Sequence, residues 1–158
     1  KYDGPVYLRF GRPKVADFMP DEPFEIGKAY VLNEGKDVSI FATGHMVWEA
    51  LQAAEALEAE GICAEIIDIA TIKPLDTKAV LASAIKTGAV VVAEEHNMAG
   101  GLGELIARVL AATSPKPIEY VNGKDEFGQS GTPSELLAAY GMDAAHIVEA
   151  AKKVLERK

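Results

Sequence analysis

The sequence predicts an α/β protein, a largely parallel sheet covered by helices on both faces. Three observations carry that expectation. From Lys36 onward, apolar runs of strand length alternate with amphipathic helical stretches. The run Ala89 to Glu94 is apolar on both faces almost throughout, as a central strand requires. At 158 residues the chain fits one compact domain and leaves no room for a second full one.

Taken in order, Ala29 to Leu32 begins the domain as a strand at the sheet edge, and Val38 to Thr43 is a short β-rich run ended by Gly44. Val47, Ala50, Leu51, Ala54 and Leu57 recur at three- and four-residue spacing, one buried stripe of a helix that Gly61 terminates. Ala64 to Ile69 is the next strand; Asp76 caps a helix through Lys86, and Gly88 turns the chain. After the strand Ala89 to Glu94, the Gly-rich turn at 99–103 leads into a helix with Leu102, Leu105, Ile106, Val109 and Leu110 on its inner face. Pro115 and Pro117 bracket the entry to a strand at Ile118 to Val121, followed by the polar turn Asn122-Gly123-Lys124-Asp125. Two helices close the chain, one near Pro133 to Tyr140 that stops at Gly141, the other capped by Asp143 and burying Ile147, Val148, Ala151, Val154 and Leu155. Before Lys36 the character changes. Gly4 to Phe10 has strand composition, yet Pro13, Pro20 and Pro23 punctuate the next stretch as they would a linker, so Val6 to Phe10 reads as a strand separated from its sheet.

Composition excludes several classes of partner. Sixteen basic against 24 acidic residues give a net charge of -8 with no basic cluster, which repels nucleic acid and anionic membrane surfaces. The apolar runs are too short to cross a bilayer, and no signal-peptide pattern opens the chain. The lone Cys63, inside an apolar stretch, reads as a small buried hydrophobe suited to a reducing cytoplasm. Lys at position 1 is expected of a piece of a longer polypeptide.

Candidate functional positions are few. Gly100 and Gly101 lie at a strand-to-helix junction where backbone N–H groups could meet an anion, but the spacing fits neither the dinucleotide fingerprint nor the P-loop, and tight packing is the preferred reading. Glu94, Glu95 and His96 fall at the carboxyl end of a strand, where open α/β sheets present functional residues. They suit a proton shuttle or an ionic contact; an exposed loop at a subunit contact is the preferred alternative, because no second catalytic constellation accompanies them. His45, at a helix start, and His146, on the last helix, have neither triad partners nor metal spacing. Arg12, directly after a strand-like segment, could hold a phosphate or carboxylate bidentately or simply be a solvated linker arginine.

A series of short blocks runs through the chain in order: 4–12 (GPVYLRFGR), 26–29 (IGKA), 35–40 (GKDVSI), 71–76 (TIKPLD), 94–96 (EEH), 100–103 (GGLG), 127–131 (FGQSG) and 140–142 (YGM). Together they resemble the C-terminal part of transketolases, especially those encoded as two separate sections, and less closely the deoxyxylulose-phosphate synthases. The resemblance covers essentially the whole chain. It implies a three-layer α/β/α domain over 21–158, with a mostly parallel five-stranded sheet and one antiparallel edge strand, and makes residues 1–20 a remnant of a preceding pyrimidine-binding domain with its linker. It further implies that separate pyrophosphate and pyrimidine domains hold thiamine diphosphate and a divalent metal, Mg or Ca, between two subunits. This chain would then contribute no catalytic, cofactor or metal residue. Arg12 matches the arginine that grips the substrate's phosphate, whereas Glu94, Glu95 and His96 match a block without an assigned step.

The parent reaction implied is transfer of a two-carbon ketol unit from a ketose phosphate to an aldose phosphate, with this domain supporting a homodimer and inactive alone. Two alternatives are carried forward. One places the domain in deoxyxylulose-phosphate synthase or an oxo-acid dehydrogenase β-subunit, the latter disfavoured by Arg12. The other is a free-standing module that binds a small anion near Gly44 and Gly100.

Overall fold

The computed structural model describes residues 2–11, 15–19, 21 and 23–158. Its elements follow the order β1 (Tyr30–Asn33), β2 (Val38–Ala42), α1 (Met46–Ala59), β3 (Ala64–Asp68), α2 (Thr77–Thr87), β4 (Val90–Asn97), α3 (Leu102–Thr113), β5 (Ile118–Gly123), α4 (Pro133–Ala139) and α5 (Ala144–Leu155). The five strands form one sheet in the order β1-β3-β2-β4-β5. β2, β3, β4 and β5 run parallel, and only β1, at the edge beside β3, is antiparallel.

Alternation along the strands sorts the core into two halves. Val38, Ile40, Ile66, Val91 and Ala93 face α1 and α5, while Phe41, Ile67, Val90 and Val92 face α2 and α3. Both faces of the central strands are therefore covered, which is why β2 and β3 are buried at every residue. The result is the expected three-layer α/β/α domain.

Local chemistry sets the helix ends. The Asp76 side chain accepts from Ala79 N at 3.0 Å to open α2, and Gly88, at φ 77°, closes it with a bond to Ala84 O. Asp143 opens α5 in the same way, accepting from His146 N at 3.1 Å. At the end of α1, Gly61 N donates to Glu58 O and Ile62 N to Leu57 O.

Several boundaries differ from expectation. β4 runs three residues past Glu94 to Asn97, because Asn97 pairs again with Gly123 after an irregular stretch. Asn122 and Gly123, expected in a turn, thereby belong to β5. Leu51, Leu105, Val109, Val148 and Leu155 are half-buried rather than interior, since they flank the helix stripes that face the sheet. Val6 to Phe10, despite strand composition, forms no strand here, because no neighbouring strand is available to pair with it. Its apolar side chains Val6, Tyr7, Leu8 and Phe10 are exposed.

Candidate functional site

The parallel strands direct four loops to one end of the sheet. β2 is the first of them in sequence, with β3 on one side and β4 on the other, so the chain order reverses between β2 and β4. A crevice at such a reversal, outside the strand carboxyl ends, is where open α/β sheets hold ligands. Here Thr43, Gly44 and His45 follow β2, and Glu94, Glu95 and His96 occupy the end of β4.

The three residues at the end of β4 part company. Ala93 pairs with Val121 and Asn97 with Gly123, so β4 advances four residues while β5 advances two. That irregularity breaks the ladder, while the alternation that turns Val90 and Val92 to α2 and α3 carries on to Glu94. Glu94 turns to the α3 layer, where it is 2% exposed and its carboxylate accepts from Leu102 N at 2.6 Å and Gly103 N at 2.9 Å. The first turn of a helix has unpaired N–H groups and a partial positive charge, and Glu94 supplies their acceptor from outside the helix. Glu95 and His96 are exposed; the His96 ring Nδ1 lies 2.8 Å from Asn97 O.

The glycines answer to the same carboxylate. A Cβ at Gly101 would lie 2.3 Å from Glu94 Oε2, and one at Gly103 would lie 2.8 Å from the Tyr120 ring and 3.2 Å from Glu94 Oε1. Gly100, at φ 79°, donates its N–H to Glu104 Oε2 at 2.9 Å. The N–H groups of Gly100, Leu102 and Gly103 are thus held by the chain's own carboxylates. The same observation bears on thiamine diphosphate. With Glu94 in the α3 N-terminus, the described residues do not fit a diphosphate there, nor do they bring three or more His, Cys, Asp or Glu side chains together around a metal position.

Arg12 lies outside the described residues. Arg9, which sequence reasoning passed over, is described: its guanidinium donates to Glu95 O at 2.9 Å and brings the N-terminal segment to the end of β4. His45, just after β2, lies at the same end of the sheet. It lines a cavity of about 310 Å³ with Glu95, Leu136, Leu137, Tyr140 and Met142, so strand order joins residues that are 50 positions apart. A signal existed in the Thr43-Gly44-His45 loop after a strand, but only the sheet order, which local pattern does not encode, places that loop beside β4.

The remaining blocks also form pairs. Gly27 N donates to Thr71 Oγ1 at 2.9 Å, Ala29 N donates to Asp76 Oδ2 at 3.1 Å, and Gly27 packs on Pro74 across the cis Lys73-Pro74 bond. Lys36 N and Asp37 N both donate to Cys63 O, and Asp37 Oδ2 accepts from Cys63 N at 2.7 Å. Tyr140 Oη accepts from Gln129 N at 2.6 Å and donates to Phe127 O at 3.2 Å.

Residues 27–147 match the family described as "Transketolase, C-terminal domain". The chain belongs to the transketolase C-terminal domain family. Among its curated relatives, the 6-deoxy-6-sulfo-D-fructose transketolase subunit SqwH of Clostridium sp. (strain MSTE9) is 48% identical over 158 residues, spanning 99% of this chain and 49% of that protein. An apulose-4-phosphate transketolase subunit of Phocaeicola vulgatus is 36% identical over 158 residues, with 99% of this chain and 50% of that protein covered. Matches extend to 1-deoxy-D-xylulose-5-phosphate synthase of Heliobacterium modesticaldum, 34% identical over 160 residues, covering 99% of this chain and 25% of that protein. Among solved structures, "Split gene transketolase, inactive beta4 tetramer" superposes with a TM-score of 0.84 at 50% identity, covering 88% of this chain and 46% of that one. The chain thus spans about half the length of the transketolase subunits it matches. No helix of the described residues is long and apolar enough to cross a membrane.

Proposed function

We propose that this chain is the supporting domain of a thiamine diphosphate-dependent transketolase whose catalytic centre is built by other parts of the enzyme. The observation that carries the reading is the half-length match to transketolase subunits, at 48% and 50% identity, by a domain whose α3 N-terminus is filled by Glu94. Thiamine diphosphate, with Mg or Ca, would be held by pyrophosphate and pyrimidine domains, and this domain would back a homodimer of the assembled enzyme. Residues 1–20 are assigned to the end of the pyrimidine domain and its linker, and 21–158 to the supporting domain. The free Cys63 suits a reducing cytoplasm.

The reaction proposed is transfer of a two-carbon ketol unit from a ketose phosphate to an aldose phosphate. Arg12 would grip the tetrahedral anion at the far end of the sugar, and that distant charge would orient the carbonyl end for reaction. One relative is named for a sulfo-sugar and another for a sugar phosphate. A planar guanidinium serves either oxyanion, so both head groups belong in the assay.

The chain alone is expected to show no ketol transfer in a coupled assay, in keeping with the relative described as an inactive β4 tetramer. Addition of the thiamine-binding partner should restore turnover, and Arg12→Ala in that assembly should raise KM for anionic sugars by about tenfold or more with a smaller change in kcat. Turnover by the pure chain, or an unchanged KM, overturns the respective assignment.

A further inference from the structure

Phe127, in the loop between β5 and α4, is 99% exposed. The backbone beneath that ring is held in place: Tyr140 Oη donates to Phe127 O at 3.2 Å and accepts from Gln129 N at 2.6 Å. Two residues earlier, Asp125 Oδ1 accepts from Asn97 Nδ2 at 2.7 Å, which ties the same loop to the end of β4. A ring presented on a fixed backbone has little freedom left to lose when a neighbour covers it, and aromatic side chains are enriched at such contacts.

Tyr140 also lines the depression of about 310 Å³ beside α4, whose walls are largely apolar: Pro133, Leu136, Leu137 and Met142. Phe127 does not fill this hollow, since its own ring is exposed almost completely. An apolar knob and an apolar hollow therefore flank one residue, Tyr140, and both are uncovered. Such a pair is self-complementary under a two-fold axis, because each copy's knob can enter the other's hollow and the contact closes at two. Two rings of about 150–250 Å² each, with the walls they cover, bury on the order of 800 Å² in total, short of the roughly 1,200 Å² of a stable interface. The contact is weak on that account, and the net charge of -8 on each copy opposes it further.

We infer that Phe127 and the hollow beside α4 form an interface with a second copy of this chain, across which the two copies exchange their Phe127 rings. Each ring lies against Leu136 and Met142 of the other copy, with the Tyr140 hydrogen bonds keeping knob and hollow at a fixed spacing. The inference gives the proposed homodimer a contact and rests on that reading; it does not depend on the ketol-transfer chemistry.

The test mixes isotope-labelled and unlabelled samples of the full 158-residue chain and records filtered NMR spectra, which report only contacts between copies. Salt of about 0.15 M, with a Debye length of about 8 Å, screens the like charges. Sedimentation equilibrium is expected to give a monomer–dimer constant on the order of 0.1–1 mM, so the samples are held at about 1 mM. Cross-peaks should join the Phe127 ring of one copy to the Leu136 and Met142 methyls of the other. Phe127→Ser, at a position that contributes nothing to the core, should weaken dimerisation at least about tenfold and abolish those cross-peaks. A chain that stays monomeric at that concentration, a dimer without those cross-peaks, or a dimer unchanged by Phe127→Ser would each overturn the inference. The homodimer reading fails separately, by a single copy of this chain sedimenting in the enzyme reassembled with its thiamine-binding partner.

Discussion

Two buried carboxylates show how far a side chain's surroundings decide its role. Glu94 is matched by two N–H groups at a helix terminus. Truncation by Glu94→Ala should lower stability by about 1–3 kcal/mol in urea unfolding, with Glu94→Gln losing less because it keeps one acceptor oxygen. Gly101→Ala should cost a similar amount, about 1–3 kcal/mol, for a different reason: its Cβ would stand 2.3 Å from Glu94 Oε2 and force α3 away. Asp68, 7% exposed at the end of β3, has no such match, and burial pushes its pKa from 3.8 up to about 6. The sign follows from linkage. A carboxyl raised in the folded state binds more protons there than in the unfolded chain, so its contribution favours folding below about pH 4 and is lost as pH rises through about 6. Asp68→Asn should therefore match the parent near pH 4 and exceed it above pH 7, by at most about 2–3 kcal/mol on urea curves.

At the scale of elements, α2 is fastened to the sheet by polar groups inside an otherwise apolar layer. Ser39 Oγ lies 2.6 Å from Ser83 Oγ and 2.7 Å from Thr87 Oγ1, and Ser83 Oγ donates to Glu65 Oε2 at 2.5 Å. Lys86 Nζ bridges Glu65 and Glu34 at 2.6 Å each. The bond from exposed Glu34, with that from Glu65, raises the Lys86 pKa, and the Glu34 carboxyl is lowered in turn. Ser83→Ala removes the hydroxyl that joins β2 to β3 through α2 and should destabilise the chain by about 1–3 kcal/mol, measured as a shift in the urea midpoint at constant m. None of this network was legible in sequence, where Ser39, Glu65 and Ser83 are merely polar residues interrupting apolar runs. The legible features had local causes: Asp76 and Asp143 as caps, Gly61 and Gly88 as stops, and the stripe of α1. The motif blocks could be read as a series but not as pairs. That Gly101 makes room for Glu94, or that Tyr140 holds Phe127 and Gln129, depends on contacts that only the folded chain brings about.

For the molecule as a whole, the N-terminal segment stands apart. Among the described residues, the side-chain link between residues 2–11 and the layered domain is the Arg9 bond to Glu95 O, while Phe18 further along stacks with Trp48 at 6.3 Å between ring centroids. Exposed apolar residues on an unpaired segment promote association. Removal of residues 1–11 should leave the thermal midpoint within about 2 °C, since residues 2–11 are exposed, and should reduce self-association in sedimentation velocity. A large fall in the midpoint would mean that this segment belongs to the domain's own core. The three-layer order itself was the most readable feature, because burying both faces of parallel strands leaves a repeating signature along the chain. The cavity at its carboxyl end was the least readable, being assembled from β2, β4 and the approach to α5.

Alternation along β4 makes neighbours of two unlike tasks. Glu94 reaches into the layer of α2 and α3, and Glu95, the very next residue, opens toward the layer of α1, α4 and α5. Side chains alternate across a sheet with a period of two, so deleting a single residue between Ala93 and Glu95 would reverse the parity of everything up to Asn97. One residue lost there would take Glu94 from the α3 N–H groups and Glu95 from the opposite face in a single step.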